Sequence, residues 1–154
     1  MSQRAIVLDA NILIRAVLGE RVHRLILEHA DEIKFYAPDA AYVEAGKYLP
    51  TLLAKRRMHA TSSMAALDAL CVIVPPVDGE LLLPFRQATM TRIAARDPDD
   101  WPALACTLML DCPIWTEDTD FFGTGVATWT TNLVEIYLKA PRQEVADSGA
   151  AVDD

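Results

Sequence analysis

Short apolar segments alternate with longer stretches of helical periodicity along this 154-residue chain. Five runs of strand length are rich in β-branched or aromatic residues: residues 4–8, 33–37, 71–74, 113–116 and 128–131. Between them, apolar side chains recur three and four positions apart, as they do in helices with one buried face. This alternation predicts a mostly parallel sheet with helices on both faces, which is a three-layer α/β/α sandwich.

Proline and aspartate residues mark where several of the predicted helices begin or bend. Asp39 follows the second apolar run and is a good N-cap for the helix after it. Pro84 lies inside the helix predicted over residues 78–95 and is expected to kink or split it. Asp97 and Pro98 have the chemistry of a cap and of a first helical position. These signals predict helices between successive strands, as a parallel sheet requires.

The composition predicts one globular domain over residues 1–140, followed by an acidic tail over residues 141–154. The chain is 52% hydrophobic, whereas the tail carries no apolar stripe and is expected to be disordered. No apolar run approaches the length of about 18 residues that a membrane span needs. Residues 1–4 show no cleavable signal pattern. The odd number of cysteines, three, indicates reduced thiols in a cytoplasmic protein.

Four acidic residues lie at or near the ends of predicted elements. Asp9 closes the first strand, Glu44 lies in the helical stretch after Asp39, Asp100 lies in the first turn of a helix, and Asp118 follows the fourth strand. Carboxyl ends of parallel strands border the crevice where open α/β sheets bind ligands. If the four carboxylates converge, charges about 4 Å apart repel by roughly 4 kcal/mol per pair at an effective dielectric constant of about 20. A cation must then lie among them.

Oxygen ligands of this kind select a hard ion, Mg²⁺ or Mn²⁺, over zinc, and such a centre indicates metal-dependent phosphodiester chemistry. A net charge of −8, taken alone, argues against a nucleic-acid substrate. However, the tail contributes −3, and the remaining −5 falls to −1 without the four candidate carboxylates. The acidity therefore argues against tight nonspecific binding, but it does not exclude nucleic acid as a substrate.

Four stretches of the chain together resemble the PIN-domain nucleases, and they occur in the order found in that family. They read VLDANIL at residues 7–13, YVE at 42–44, DPDDWPALA at 97–105 and WTEDTDF at 115–121. No single stretch is specific, but the ordered set is, and the resemblance extends from about residue 5 to residue 138. The short, stand-alone form is similar to the VapC-type toxins of bacterial toxin–antitoxin pairs.

The resemblance implies a Mg²⁺ or Mn²⁺ centre and endoribonuclease activity, with metal ions that polarise a phosphate and activate a water molecule for in-line attack. Asp9 and Asp118 would be the main metal ligands, completed by Glu44 and Asp100 directly or through water. Any of these acids could take the proton of the water. Asp120 would assist the metal site. Two further residues match polar positions of the family near this site, namely Asn11 and Thr116.

The resemblance also implies partners. The substrate would be RNA, and the basic residues that could contact its backbone are Lys47, Lys55, Arg56, Arg57, Arg86, Arg92 and Arg96. A small antitoxin would place a C-terminal segment, often with an arginine, in the acidic cleft. A homodimer packed through helices of the N-terminal half is a further expectation.

Two other functions and one ambiguity remain open at this level. The chain could be a catalytically weak RNA- or protein-binding module that keeps the fold, although all four acids are present. A Mg²⁺-dependent phosphatase is the weaker reading, because the segment after the first strand is Asp9-Ala10-Asn11 and lacks a second carboxylate. Asp99 and Asp100 are adjacent, and the residues that follow them favour Asp100 as the third site acid.

Overall fold

The computed structural model describes residues 4–57, 60–93 and 96–141. Within these ranges five strands alternate with eight α-helices. The strands are β1 (Arg4–Leu8), β2 (Ile33–Pro38), β3 (Pro76–Val77), β4 (Ile114–Trp115) and β5 (Thr128–Trp129). The helices are α1 (Ala10–Leu18), α2 (Arg21–His29), α3 (Asp39–Lys55), α4 (Ala60–Ile73), α5 (Gly79–Leu82), α6 (Arg86–Ile93), α7 (Trp101–Leu110) and α8 (Val134–Leu138).

The strands pair in parallel in the order β3-β2-β1-β4-β5. At the centre of the sheet, Ile6 pairs with Phe35 of β2, and Val7 pairs with Ile114 of β4. The chain builds the sheet outward from β1 to β3 and then returns to add β4 on the other side of β1. The strand order thus reverses between β1 and β4, and open α/β sheets form their binding crevice at the carboxyl ends of such a pair.

The side chains of β1 alternate between two hydrophobic cores, one on each face of the sheet. Ile6 and Leu8 are fully buried among residues from helices α1 to α4 and α8. Val7 is fully buried in the second core, which contains residues from α5, α6 and α7, including Leu104. Helices therefore cover both faces of a parallel sheet, which confirms the predicted α/β/α sandwich.

The predicted third strand over residues 71–74 is wrong. Helix α4 continues to Ile73, and the strand begins later, at Pro76. The Val74 amide donates to the Leu70 carbonyl at 2.8 Å, and the Cys71 thiol contacts the Leu67 carbonyl at 3.7 Å. Both contacts span four residues, the helical spacing. A run of β-branched residues favours a strand only weakly, and here the packing of the helix overrides that preference.

The prediction that Asp39 caps α3 is also wrong. Pro38 occupies the cap position without a side-chain bond, and Asp39 is the first residue of the helix. The Asp39 carboxylate instead accepts a hydrogen bond from the Gly79 amide at 3.1 Å. A Cβ added at Gly79 would lie 3.3 Å from the Asp39 carboxylate. Asp39 thus ties the start of α3 to the start of α5.

Other helix signals are confirmed. A 3₁₀ turn over Leu83–Phe85 splits the predicted long helix at Pro84. Asp97 accepts a hydrogen bond from the Asp99 amide at 3.0 Å, so it caps as expected, although Pro98 opens a 3₁₀ turn and α7 begins only at Trp101. The 3₁₀ turn over Pro98–Asp100 holds the two adjacent acids just before α7.

The remaining structural expectations concern cysteines, membrane spans and the tail. Cys71, Cys106 and Cys112 are all free thiols. None of the helices in the described residues is long and apolar enough to cross a membrane. The predicted tail lies outside the described residues from position 142 onward, so the domain boundary at residue 140 stays a prediction.

Candidate metal centre

Asp9 lies where β1 ends and α1 begins, and it is only 9% exposed. One carboxylate oxygen accepts a hydrogen bond from the Ala10 amide at 2.8 Å. The other accepts from the Thr116 hydroxyl at 2.9 Å and from the Asn11 side-chain amide at 3.1 Å. A carboxylate has about four acceptor sites, so these donors fill most of the capacity of Asp9 and fix its orientation.

Thr116 joins the carboxyl ends of the two central strands. Its buried hydroxyl donates to Asp9 and accepts from the Asp118 amide at 2.9 Å and from the Asn11 side chain at 3.1 Å. Asp118 in turn accepts a hydrogen bond from the Asp120 amide at 2.9 Å and caps the 3₁₀ turn over Thr119–Phe121. The chain of bonds places Asp118 and Asp120 beside the end of β1.

Three carboxylates meet at this point. One oxygen each from Asp100, Asp118 and Asp120 lies within 4.8 Å of the other two, and all three residues are partly buried. The Oδ2 atom of Asp100 is buried and has no hydrogen-bond partner among the described residues. Buried polar atoms without partners are rare, and a bound cation would give this oxygen a partner. Three close carboxylate oxygens, one of them from a residue that also has an unpartnered buried oxygen, fit a divalent cation.

The electrostatics of the cluster point the same way. Burial, which is the largest cause, and the negative charges of Asp9, Asp97, Asp118 and Glu44 together raise the pKa of Asp100 to about 8. Burial is also the largest cause of the raised pKa of Asp9, to which the charge of Asp118 adds while the bonds from Thr116 and Ala10 oppose it. A cation among these oxygens would offset both the burial and the repulsion. Because every donor is an oxygen, the set fits Mg²⁺ or Mn²⁺ better than zinc.

Glu44 lies at the edge of this centre. It shares a cleft with Asp9, Asp99 and Asp100, and its side chain is exposed. Burial raises the pKa of Glu44, and the charge of Asp9 adds to the effect. Among the described residues Glu44 does not belong to the close oxygen cluster, whereas Asp120 does. The geometry therefore favours Asp100, Asp118 and Asp120 as ligands, with Asp9 and Glu44 beside them.

The two adjacent acids before α7 have different positions. Asp100 contributes an oxygen to the cluster. Asp99 uses its backbone amide to bond the Asp97 carboxylate, and its side chain is exposed along the cleft. Asp100 rather than Asp99 is thus the acid that the turn brings to the other two carboxylates.

Glu117 is an acidic residue of the site region that the sequence analysis missed. Its carboxylate accepts hydrogen bonds from the Thr131 amide, at 2.8 Å, and from the Thr131 hydroxyl. Its own amide donates to the Asn11 side-chain carbonyl at 3.0 Å. Glu117 therefore connects the end of β5 to Asn11 and lies outside the oxygen cluster. Successive side chains of an extended segment point to opposite sides. The position of Glu117 between Thr116 and Asp118 was therefore the sequence signal that its side chain lies apart from theirs.

Two of the predicted basic candidates support the loop that follows Asp120. Arg92 donates a hydrogen bond to the Thr124 carbonyl at 3.1 Å. A Cβ added at Gly125, which has a φ of 89°, would lie 2.9 Å from the Arg92 guanidinium. At Gly123, with a φ of 86°, it would lie 3.0 Å from the Arg96 guanidinium. The glycines thus permit both a left-handed backbone and the close approach of two arginines.

A parallel sheet with acids clustered where its strand order reverses places the chain among the open α/β domains that have a site at the carboxyl ends of their strands. The family model of the PIN domain matches residues 7–139, so the chain belongs to the PIN domain family, whose members are nucleases. The fold is similar to that of a chain in the crystal structure of VapBC2 from Rickettsia felis bound to a DNA fragment from their promoter. The TM-score is 0.65 at 10% sequence identity, over 82% of this chain and 98% of that chain. A comparison with curated proteins finds no match.

Proposed function

We propose that this PIN domain is an endoribonuclease that depends on Mg²⁺ or Mn²⁺. The observation that carries the proposal is the group of three carboxylate oxygens within 4.8 Å, of which Asp100 also has a buried oxygen without a partner. Membership of a nuclease family supports the reaction class. RNA as the substrate and internal cleavage follow from the resemblance to the VapC-type toxins.

Asp100, Asp118 and Asp120 would hold the ion, which when bound supplies positive charge to the phosphate and acidity to a water molecule. Asp9 completes the site and is kept in one orientation by Thr116 and Asn11. Glu44 is the proton acceptor that we favour. Its carboxylate is exposed in the same cleft, and its raised pKa brings it closer to neutral pH, where a general base works best.

We further propose that the protein is the toxin of a cytoplasmic toxin–antitoxin pair. The fold shared with a chain from the VapBC2 complex supports an antitoxin partner. The acidic cleft lined by Asp9, Glu44 and Asp100 would accept a basic side chain from that partner. The exposed apolar side chains of Val43 on α3 and Val72 on α4, 72% and 85% exposed, support a homodimer through helices of the N-terminal half.

The test is cleavage of total RNA by the purified protein in Mg²⁺, Mn²⁺ or EDTA, beside the variant Asp118→Asn. An asparagine retains an oxygen to accept the Asp120 amide, so this change removes charge with little disturbance of the turn. Asp111→Asn is the matched control, because Asp111 is exposed and its φ of 53° is one that asparagine also adopts. We expect metal-dependent cleavage by the wild type and the control only.

Two results would contradict the proposal. Equal cleavage by the wild type and Asp118→Asn would indicate a contaminating ribonuclease. No cleavage in any condition, with folded protein, would favour the catalytically weak binding module instead.

A further inference from the structure

A groove borders the metal centre on the side of α1. Residues of α1, of the start of α2 and of the end of α3 line it, and they include Asn11, Ile14, Arg15, Leu18, Leu52 and Arg56. We call it the α1 groove. Asn11 belongs to both places, because it lines the groove while its side-chain amide donates to Asp9. The α1 groove therefore adjoins the acidic centre through Asn11.

The charge of the α1 groove is opposite to that of the centre. Arg15, Arg21 and Arg56 line it with a single acid, Glu20. Arg21 is partly neutralised by an ion pair with Glu135 at 3.3 Å. Arg15 has no ion pair within the described part of the chain. The guanidinium of Arg56 donates a hydrogen bond to the Leu18 carbonyl at 3.4 Å and forms no ion pair with a described residue. Two exposed cations thus remain available in a chain of net charge −8.

Helix α1 presents two parallel rows to the groove. Asn11 and Arg15 form a polar row with a spacing of four residues, and Ile14 and Leu18 form an apolar row with the same spacing. The apolar pair is only partly buried, and Leu52 of α3 extends it. A ligand with alternating anionic and flat apolar parts matches this surface, because one row contacts each part.

We propose that the α1 groove holds the single-stranded segment of RNA next to the cleaved phosphodiester, with phosphates on Arg15 and Arg56 and base faces on Ile14 and Leu18. This inference rests on the proposed ribonuclease function. Bases are free to contact an apolar wall only where the RNA is unpaired, which excludes a duplex. The continuity with the metal centre through Asn11 favours RNA over an acidic peptide or a second copy of the chain.

The test measures binding of a mixed-sequence single-stranded RNA oligonucleotide in EDTA, where cleavage is blocked, over a series of salt concentrations. Arg15→Gln and Arg56→Gln should each weaken binding and reduce the slope of log affinity against log salt by about 0.7, as expected for one lost phosphate contact on a single strand. Lys34→Gln is the control, since Lys34 is exposed near the amino end of β2, away from the metal centre. In Mg²⁺, the arginine variants should raise KM and leave kcat unchanged.

The possible outcomes distinguish failure of the groove proposal from failure of the proposed ribonuclease function. If affinity and salt slope are unchanged in both arginine variants while the wild type shows Asp118-dependent cleavage, the proposal for the α1 groove is wrong. The proposed ribonuclease function is then unaffected. A change in sedimentation with unchanged RNA binding would assign the groove to a second copy. Wild-type protein that neither binds nor cuts RNA would overturn both. Circular dichroism of each variant establishes that it is folded.

Discussion

Asp9 and Asp100 line the same cleft, but their carboxylates are bonded in opposite ways. Asp9 is almost completely buried and accepts three hydrogen bonds from Ala10, Asn11 and Thr116. Asp100 is only partly buried, yet one of its oxygens is inaccessible and has no partner among the described residues. Its pKa is raised to about 8, chiefly by burial and by the negative charges around it.

The difference separates what the fold supplies from what the ligand must supply. The side of the site that contains Asp9 is satisfied by the chain itself, so its geometry is set when β1 and β4 pair. The side that contains Asp100, Asp118 and Asp120 is electrostatically unfavourable by itself, and it becomes favourable when a cation lies among the oxygens. Retaining such a cluster lowers stability, as functional sites often do.

The largest effect should come from removing the unsatisfied charge with Asp100→Asn. We expect metal-dependent cleavage to fall by at least about 100-fold, because residues that merely orient ligands already cost about 10- to 100-fold. In EDTA the same variant should melt at a higher temperature than the wild type, because it removes a repelled, partly buried carboxylate. Cleavage of RNA in Mn²⁺ tests the first expectation, and thermal denaturation in EDTA tests the second. A melting temperature in EDTA below that of the wild type would contradict this account of Asp100.

The same carboxylate predicts a pH dependence for the metal-free protein. The pKa of Asp100 is 3.8 as an isolated group and about 8 in the folded state, so the folded state binds the proton more tightly. Stability is therefore greatest below about pH 4 with respect to this group, and it decreases as the pH rises toward 8. The raised pKa values of Asp9 and Glu44 act in the same direction. Melting temperatures in EDTA should fall over this range, less so in Asp100→Asn, and saturating Mg²⁺ should flatten the dependence.

On the side of the site that contains Asp9, Thr116→Val should have a smaller effect on activity than Asp100→Asn. Valine has nearly the same shape but removes the donor to Asp9 and the acceptor of the Asp118 amide. We expect activity to fall by about 10- to 100-fold, as for other residues that orient metal ligands. Thr116→Ser keeps the hydroxyl and serves as the control. Activity measured against Mn²⁺ concentration should show weaker metal binding for the valine variant alone. Equal curves for all three proteins would show that Thr116 does not contribute to the site.

Glu117→Ala should affect stability more than chemistry. It leaves the Thr131 amide and hydroxyl without their acceptor, which costs about 1–3 kcal/mol if water does not replace it. Cleavage should fall only modestly, through the looser position of Asn11. Urea denaturation measures the free energy of unfolding, and Glu117→Gln, which keeps an acceptor oxygen, should retain most of the stability. Unfolding at the same urea concentration in wild type and alanine variant would contradict the bonding described.

These contrasts also show what a sequence can reveal. The central strands were predictable, because β1 is a buried apolar run that ends at Asp9 and the run ending at Thr116 contains β4. Strand β3 was not, because two residues carry no periodicity and the apolar run before them ends a helix. The prediction of the fold class was correct despite that error, because it depends on the alternation of strands and helices rather than on any single element.

The site was predictable in part for a similar reason. The positions of Asp9 and Asp118 follow from local rules about strand ends, and the cap at Asp97 places the turn that carries Asp100. The contact between Glu117 and Thr131 joins residues 14 apart that only the pairing of β4 and β5 brings together. The same holds for the α1 groove, where the packing of α1 against α3 brings Arg15 and Arg56 to one groove.

The smallest effect should come from Asp99→Asn, which tests whether the two adjacent acids before α7 are different in kind. Asp99 contacts Asp97 through its backbone amide, which asparagine keeps, so stability should change by no more than about 0.5 kcal/mol. The charge of Asp99 raises the pKa of Glu44, and its removal should move the acidic limb of the pH–rate profile to lower pH. Activity at pH 7 should stay within about twofold of the wild type. If Asp99→Asn instead abolished cleavage while Asp100→Asn retained it, the third metal ligand would be Asp99, and the contrast between Asp9 and Asp100 would lose its functional meaning.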